Sequence, residues 1–289
     1  MQKIKIIIAI LLGVFTLDLG VYFIYPNVAS LRENHPKKTA YMLYREKQWK
    51  EEGLHKKIAR IWVPYSRISP YLKKAVLISE DDQFWHNDGF ELNAMEAAMV
   101  KDIKAGKFKF GGSTITQQLA RNLYLSPSKT ILRKLKEAII TWRLNRELPK
   151  RRILELYLNV AEWGDGIFGI GAASWHYFHK PASALTPREA ARLVSILPNP
   201  LKLNPLKPGA YVKRRSTALY DIMVKRGVVR QLDEAVTRME EEGPGGVQNS
   251  ESPGSMSNAP DSNSVSNSPA SSGQQGPNQL SPQNQQPSP

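Results

Sequence analysis

The chain has 289 residues, room for one or two domains, and 41% of them are apolar. It contains no cysteine, which excludes disulfides, thiolate catalysis and Cys-type zinc sites. Its 40 Lys+Arg against 26 Asp+Glu give a formal charge of +14. Such an excess calls for an anionic partner: nucleic acid, an acidic lipid surface or a phosphorylated substrate.

The stretch from Ile4 to Tyr25 is almost wholly apolar, and about 20 such residues cross a bilayer core. Lys3 and Lys5 precede it, so the positive-inside rule leaves the N-terminus in the cytoplasm and the rest outside. Asp18 is a flaw in the span, less costly for lying towards one end. A cleavable signal peptide is the competing reading, with small residues at Val28-Ala29-Ser30. The apolar run exceeds the usual length of such a signal's core, which favours an uncleaved anchor over residues 1–26.

Residues 27–60 form a membrane-proximal segment. From His35 to Gly53 the pattern is helical and basic, with Tyr41, Leu43, Tyr44 and Trp49 among the cations. That helix suits either the lipid interface or ordinary packing on the domain. The main domain is expected over residues 61–242. Ile61-Trp62-Val63-Pro64 reads as a short strand. Ser69-Pro70 reads as an N-cap with proline at the first helical position, and Leu72, Ala75, Val76 and Ser79 as the buried face of that helix. Glu80 then falls at the helix end, within the acidic knot Glu80-Asp81-Asp82.

A small-residue helix is expected from about Asn93, then a basic loop over 101–109. Thr114 to Gln117 fits a capping box. In the helix it opens, Ile115, Leu119 and Leu123 share one face, and Gln117, Arg121 and Tyr124 another. A longer helix from Lys129 to Glu147 carries Leu132, Leu135, Ile139 and Trp142 as its apolar stripe, with Glu137 turned away from most of it. Another helix spans Arg151 to Asn159. Trp163 to Gly171 reads as a glycine-punctuated loop leading into a helix with Ala172, Ala173, Trp175 and Phe178. Thr186-Pro187-Arg188-Glu189 is a second capping box, and Tyr211 to Glu242 a final basic helix or helix pair. Residues 243–289 turn to Ser, Asn, Gln, Pro and Gly, too polar to offset the entropy of ordering, and read as disordered.

Carboxylates are the natural acid–base groups in this chain, and Glu80 is the foremost candidate. Gly111-Gly112-Ser113-Thr114 before a helix start offers free backbone N–H groups to an anion, although the P-loop pattern is missing. Arg121, Lys129, Arg133 and Lys134 follow closely enough to converge on that anion, or else form a solvated face. Two other patterns lead nowhere. Ser126 to Lys129 matches Ser-x-x-Lys but has no Lys-Thr-Gly partner, and His176 with His179 lacks a third metal ligand nearby.

Together these stretches resemble the peptidoglycan glycosyltransferase family (glycosyltransferase family 51), the polymerase module of bifunctional penicillin-binding proteins. The first family motif, Glu-Asp-x-x-Phe-x-x-His-x-Gly, is met by Glu80, Asp81, Phe84 and Gly89. The second, Gly-x-Ser-Thr-Ile-Thr-Gln-Gln, is met by Gly111 to Gln118. The third, Arg-Lys-x-x-Glu, appears as Arg133, Lys134 and Glu137, and the fourth runs from Lys150 to Asn159. Asn87 stands where the family has histidine, with His86 one residue early. It can replace a hydrogen bond but not a proton transfer. No transpeptidase domain follows residue 225, so the resemblance is to the monofunctional biosynthetic transglycosylases.

The resemblance implies a mainly α, lysozyme-like helical domain with a small membrane-proximal lobe behind one transmembrane helix. The implied substrate is lipid II, added to a growing glycan chain at the cytoplasmic (inner) membrane, with the domain on its outer, periplasmic side. Glu80 and Glu137 would be catalytic, Glu80 as general base on the acceptor's 4-hydroxyl and Glu137 positioning a donor group or a metal. Arg121, Lys129, Arg133 and Lys134 would hold the diphosphate, while Phe84, Asn87, Ser113, Thr114, Gln117 and Gln118 would shape the substrate site. The resemblance allows a divalent cation, Mg or Mn, but calls for no organic cofactor. Expected partners are membrane lipids and other wall-synthesis proteins, not nucleic acid. A wall-cleaving lysozyme or lytic enzyme needs no diphosphate site, and the basic cluster argues against it.

Overall fold

A computed structural model describes residues 1–91 and 112–230 of the chain. The helix expected from Asn93, the loop over 101–109, Gly111, residues 231–242 and the tail from 243 lie outside the described residues. Nine α-helices occur among those described: α1 Gln2–Val21, α2 Ala40–Glu51, α3 Pro70–Glu80, α4 Ile115–Tyr124, α5 Ile131–Glu147, α6 Lys150–Val160, α7 Ile170–Phe178, α8 Pro187–Ile196 and α9 Ala210–Lys225. Three short strands complete the set: β1 Ala59–Arg60, β2 Glu162–Gly164 and β3 Ile167–Phe168. The fold is mainly helical, as expected.

Helix α6 is the core of the packing. From Ile153 onward nearly every residue is buried, as befits a helix apolar on several faces. Helix α4 lies against α2, α5 and α6, and its Ile115, Leu119 and Leu123 fill the interface, as their i, i+4, i+8 spacing requires. On the other side α3 packs on α8 and α9. Both capping boxes are present, at Thr114–Gln117 and Thr186–Glu189.

Five local expectations are corrected. The segment Ile61–Pro64 is not a strand; β1 precedes it, at Ala59–Arg60. Val63 is pinned instead by a side chain: its N–H donates to Asn159 Oδ1, and Asn159 Nδ2 donates to its carbonyl, both at 2.8 Å. Ser69 does not cap α3; its hydroxyl donates to the Leu185 carbonyl at 2.8 Å. Leu77 rather than Ser79 completes the buried face of α3. The glycine-rich stretch after Trp163 is not a plain loop but the β2–β3 hairpin, with β1 added in parallel to β3. Gly166 turns that hairpin at φ 76°, where a Cβ would meet the Trp49 ring at 2.7 Å.

The fifth correction concerns α5. Its buried positions are Glu137, Ile140, Thr141 and Leu144. Leu135 and Trp142 of the expected stripe are among the exposed residues. The helix buries the face that carries its carboxylate and turns half of its apolar stripe outward. Part of that outer face meets the end of α1: Trp142 contacts Phe23 edge to face, and Arg143 donates to the carbonyls of Tyr22 and Ile24 at 2.9 and 2.7 Å. Lys136 pairs with Asp18 at 2.8 Å, which gives the one acidic residue in α1 a partner. Helix α1 is long and apolar enough to cross a membrane.

Helix α2 is packed on the domain through Met42, Arg45 and Trp49, while Leu43 and Tyr44 point outward. Arg45 makes a buried two-point pair with Glu162, at 3.0 and 2.8 Å. Burial pushes the Glu162 carboxyl up, and Arg45 offsets part of that rise.

Candidate active site

Glu80 is the last residue of α3, and its side chain is 12% exposed. Oε2 accepts from Gln118 Nε2 at 3.1 Å. Oε1 accepts from the Ser79 hydroxyl at 3.0 Å and from Arg215 Nη2 at 3.3 Å. A carboxylate offers about four lone-pair directions, so these three bonds leave one on Oε2 for an incoming hydroxyl. Gln118 is itself held by the Tyr157 hydroxyl, which donates to its Oε1 at 3.0 Å. Tyr157 is fully buried, and burial lifts its phenol well above the usual value, so it stays a donor.

The second cluster gathers on α5. Arg133 and Lys134 both pair with Glu137, one on each carboxylate oxygen. Lys134 Nζ also donates to Ser113 Oγ at 3.2 Å, tying the glycine–serine–threonine loop to these cations. Glu137 is fully buried, whereas Lys134 is 41% exposed on its side chain. One turn along α4 from Gln118, Arg121 faces the Tyr41 ring at 6.0 Å, and its buried Nε has no partner. Gln118 and Arg121 line a cavity of about 260 Å³ with Tyr41, Asn122, Tyr157 and Leu197. A larger cavity of about 540 Å³ lies along α3, lined by Lys73, Lys74, Leu77 and Trp85, and touches neither carboxylate.

The remaining expected residues sit elsewhere. Phe84 is fully buried in the core. Gln117 is almost fully buried, and its side chain returns to the Thr114 N–H in the capping box. Thr114 accepts from the Gln117 N–H and donates to the Gly89 carbonyl at 2.6 Å. Asn87 turns inward to Asp81 and Lys150. Lys129 is exposed ahead of α5. Glu80 and Gln118 are thus brought together, as are Ser113, Arg133, Lys134 and Glu137. Gln117 and Thr114 shape the loop from behind.

Sequence reasoning missed Arg215, Tyr157 and Lys150. Arg215 is the last of three consecutive cations, Lys213-Arg214-Arg215, and only the packing of α9 beside α3 distinguishes it. It also missed Asp81 as more than a neighbour of Glu80. Asp81 is buried, and burial raises its carboxyl from 3.8 to about 6, against the pull of the Ile115 N–H and Lys150.

No metal-type cluster of His, Cys, Asp and Glu occurs among the described residues. Glu137 is fully buried with a cation on each oxygen, so a metal ion there would have to compete with Arg133 and Lys134.

The described residues form a helical domain that carries a poised carboxylate and a basic cluster, groups suited to acid–base chemistry on an anionic substrate. The sequence model of the Transglycosylase family matches residues 46–224, and the chain belongs to that family. Its domain is therefore the lysozyme-like helical one. A biosynthetic peptidoglycan transglycosylase of Azoarcus sp. (strain BH72) is 45% identical over 194 residues, 67% of this chain and 84% of the relative. Proteins of the same description from Nitrosomonas eutropha and Chromobacterium violaceum are 49% and 47% identical over 169 residues. Each alignment takes in 58% of this chain, with 69% and 74% of the relatives covered.

Proposed function

We propose that this chain is a peptidoglycan glycosyltransferase that polymerises lipid II into glycan strands during wall synthesis. The observation that carries the reading is Glu80, with three hydrogen bonds and an open lone pair on Oε2. As general base it accepts the proton of the acceptor's 4-hydroxyl while that oxygen attacks the anomeric carbon of the growing chain. The C–O bond to the polyprenyl diphosphate breaks with inversion, and the bonding pair leaves with the diphosphate. General base catalysis of this kind contributes about 10²–10⁴-fold.

The leaving diphosphate meets Arg121, Lys129, Arg133 and Lys134. Each charge-assisted contact is worth about 1.5–3 kcal/mol. Arg121 and Lys129 pair with no carboxylate among the described residues, so donors remain for phosphate oxygens. Ser113 and Gln118 border the donor site. Glu137 acts by positioning Arg133 and Lys134. A divalent cation, Mg or Mn, would arrive on the substrate's diphosphate.

In this reading α1 is a single-pass anchor in the bacterial cytoplasmic membrane. Lys3 and Lys5 favour a cytoplasmic N-terminus and an extracytoplasmic catalytic domain. The outward apolar side chains of α5 next to the end of α1 support contact with membrane lipids. Other wall-synthesis proteins are the natural partners of such an enzyme.

Incubation of the full chain with labelled lipid II tests the reading. Glycan polymer is the expected product, and Glu80→Gln is expected to lose it while keeping its thermal midpoint. No polymer from the unaltered chain, together with fragments released from mature glycan, would mean a wall-cleaving enzyme instead.

A further inference from the structure

Asn87 occupies the position at which the family pattern has histidine, and its side chain serves three partners at once. Nδ2 donates to Asp81 Oδ1 at 2.8 Å. Oδ1 accepts from its own turn, the Gly89 N–H at 3.0 Å, and from Lys150 Nζ on α6, also at 3.0 Å. Asp81 in turn uses Oδ2 to accept the Ile115 N–H at 3.0 Å, the first free donor of α4. A short chain of hydrogen bonds therefore links α6, the turn after Glu80 and the start of α4. Both ends of the Glu80–Gln118 contact hang on it, since Glu80 precedes Asp81 and Gln118 lies one turn beyond Ile115.

We propose that Asn87 and Lys150 are positioning residues for glycosyl transfer, acting through Asp81 to hold Glu80 against Gln118. The proposal rests on Glu80 being the base. Lys150 suits this role because it is half-buried, sits over the Phe84 ring at 4.9 Å and has Asn87 as its hydrogen-bond partner. Its charge offsets part of the cost of burying the Asp81 carboxylate. The charged and titratable groups around Asp81 are Lys150 on α6, Glu80 on α3, Tyr157 on α6, and Asp88 and Glu91 on the turn that follows. An amide at residue 87 donates to Asp81 without changing its own charge across the working pH range. An imidazole there would gain a proton in that range and lose it again.

The test uses the full, detergent-solubilised chain and two variants of nearly the same shape. Asn87→Leu removes both the donor and the acceptor. It is expected to lower kcat for lipid II polymerisation about 10²-fold at every pH, with KM within about twofold. Asn87→Asp keeps the acceptor, but it can donate to Asp81 only when protonated. Its rate is therefore expected to be at least about tenfold below that of the unaltered chain near pH 8, and to approach it near pH 5.5. A merely structural role would move both variants equally with pH. Hydrogen exchange of the Ile115 amide reads the same clamp without substrate: protected in the unaltered chain and faster in Asn87→Leu. Unchanged kcat in Asn87→Leu overturns the proposal, as does a flat Asn87→Asp ratio across pH. If the unaltered chain makes no polymer, the functional reading fails, while the Ile115 exchange rate still decides whether the clamp exists.

Discussion

Two carboxylates of this site were expected to be catalytic, and the fold treats them in opposite ways. Glu80 ends a helix, keeps an edge to solvent and is held by an amide, a hydroxyl and one arginine at 3.3 Å. Glu137 lies in the middle of a helix, fully buried, with a cation on each oxygen. The first has a lone pair to offer, and its one cationic partner, Arg215, sits at a long 3.3 Å. The second is fully buried with a cation on each oxygen, and its charge organises Arg133 and Lys134. On the proposed reading, the acid with an edge to solvent moves the proton, and the fully buried one holds its two cations in place.

The comparison is broken most directly at Glu80. Glu80→Gln keeps the Gln118 contact and removes the base, so polymerisation should fall by about 10³-fold with the thermal midpoint nearly unchanged. Glu137→Gln should do the reverse in kind. Removing one partner of a buried pair costs about 3–5 kcal/mol, reduced here by the exposure of Lys134. A clear drop in denaturant midpoint and a raised KM are expected. If Glu137→Gln instead leaves stability intact and abolishes kcat, the assignment of the two roles is reversed.

Asp81 sharpens the contrast, because it is a third acid, buried without a full counter-charge. Its folded-state pKa, raised from 3.8 to about 6, means that the folded chain holds this proton more tightly than the unfolded one. Its contribution to stability is therefore greatest at low pH and falls as pH rises through about 6, by at most about 3 kcal/mol. Asp81→Asn should flatten that fall, measurable as denaturant midpoints between about pH 4 and pH 7. Smaller still is the effect at Arg215, whose contact with Glu80 is long and partly exposed. Arg215→Ala should lower kcat about tenfold, a loss of about 1.4 kcal/mol in the transition state, with little change in KM.

Much of this was legible in the chain itself, for identifiable reasons. Capping boxes write their own geometry: Thr114 with Gln117 and Thr186 with Glu189 required only local spacing. Glu80 at a helix end and the Arg133–Lys134–Glu137 cluster were equally local. What failed was whatever depended on a distant neighbour. The apolar stripe of α5 was read as buried, because amphipathic periodicity cannot tell a protein core from the end of an apolar anchor. Phe84 and Gln117 lie within the motifs yet point inward, since the same turn that presents Glu80 and Gln118 must be supported from behind. Arg215 reaches Glu80 across 135 residues of sequence, and no window on the chain contains both.

The latch between α1 and α5 sets a mechanical boundary. Lys136 grips Asp18, and Arg143 grips the carbonyls of Tyr22 and Ile24. Helix α5 is also the one that carries Glu137 and its cations. If α1 lies in the bilayer as proposed, these contacts make it a strut and not a tether, holding the cationic face of α5 at one height. A donor tethered by its own lipid tail meets that face at one depth. On the proposed reading, a growing strand would move past the enzyme while the enzyme keeps its place at the membrane.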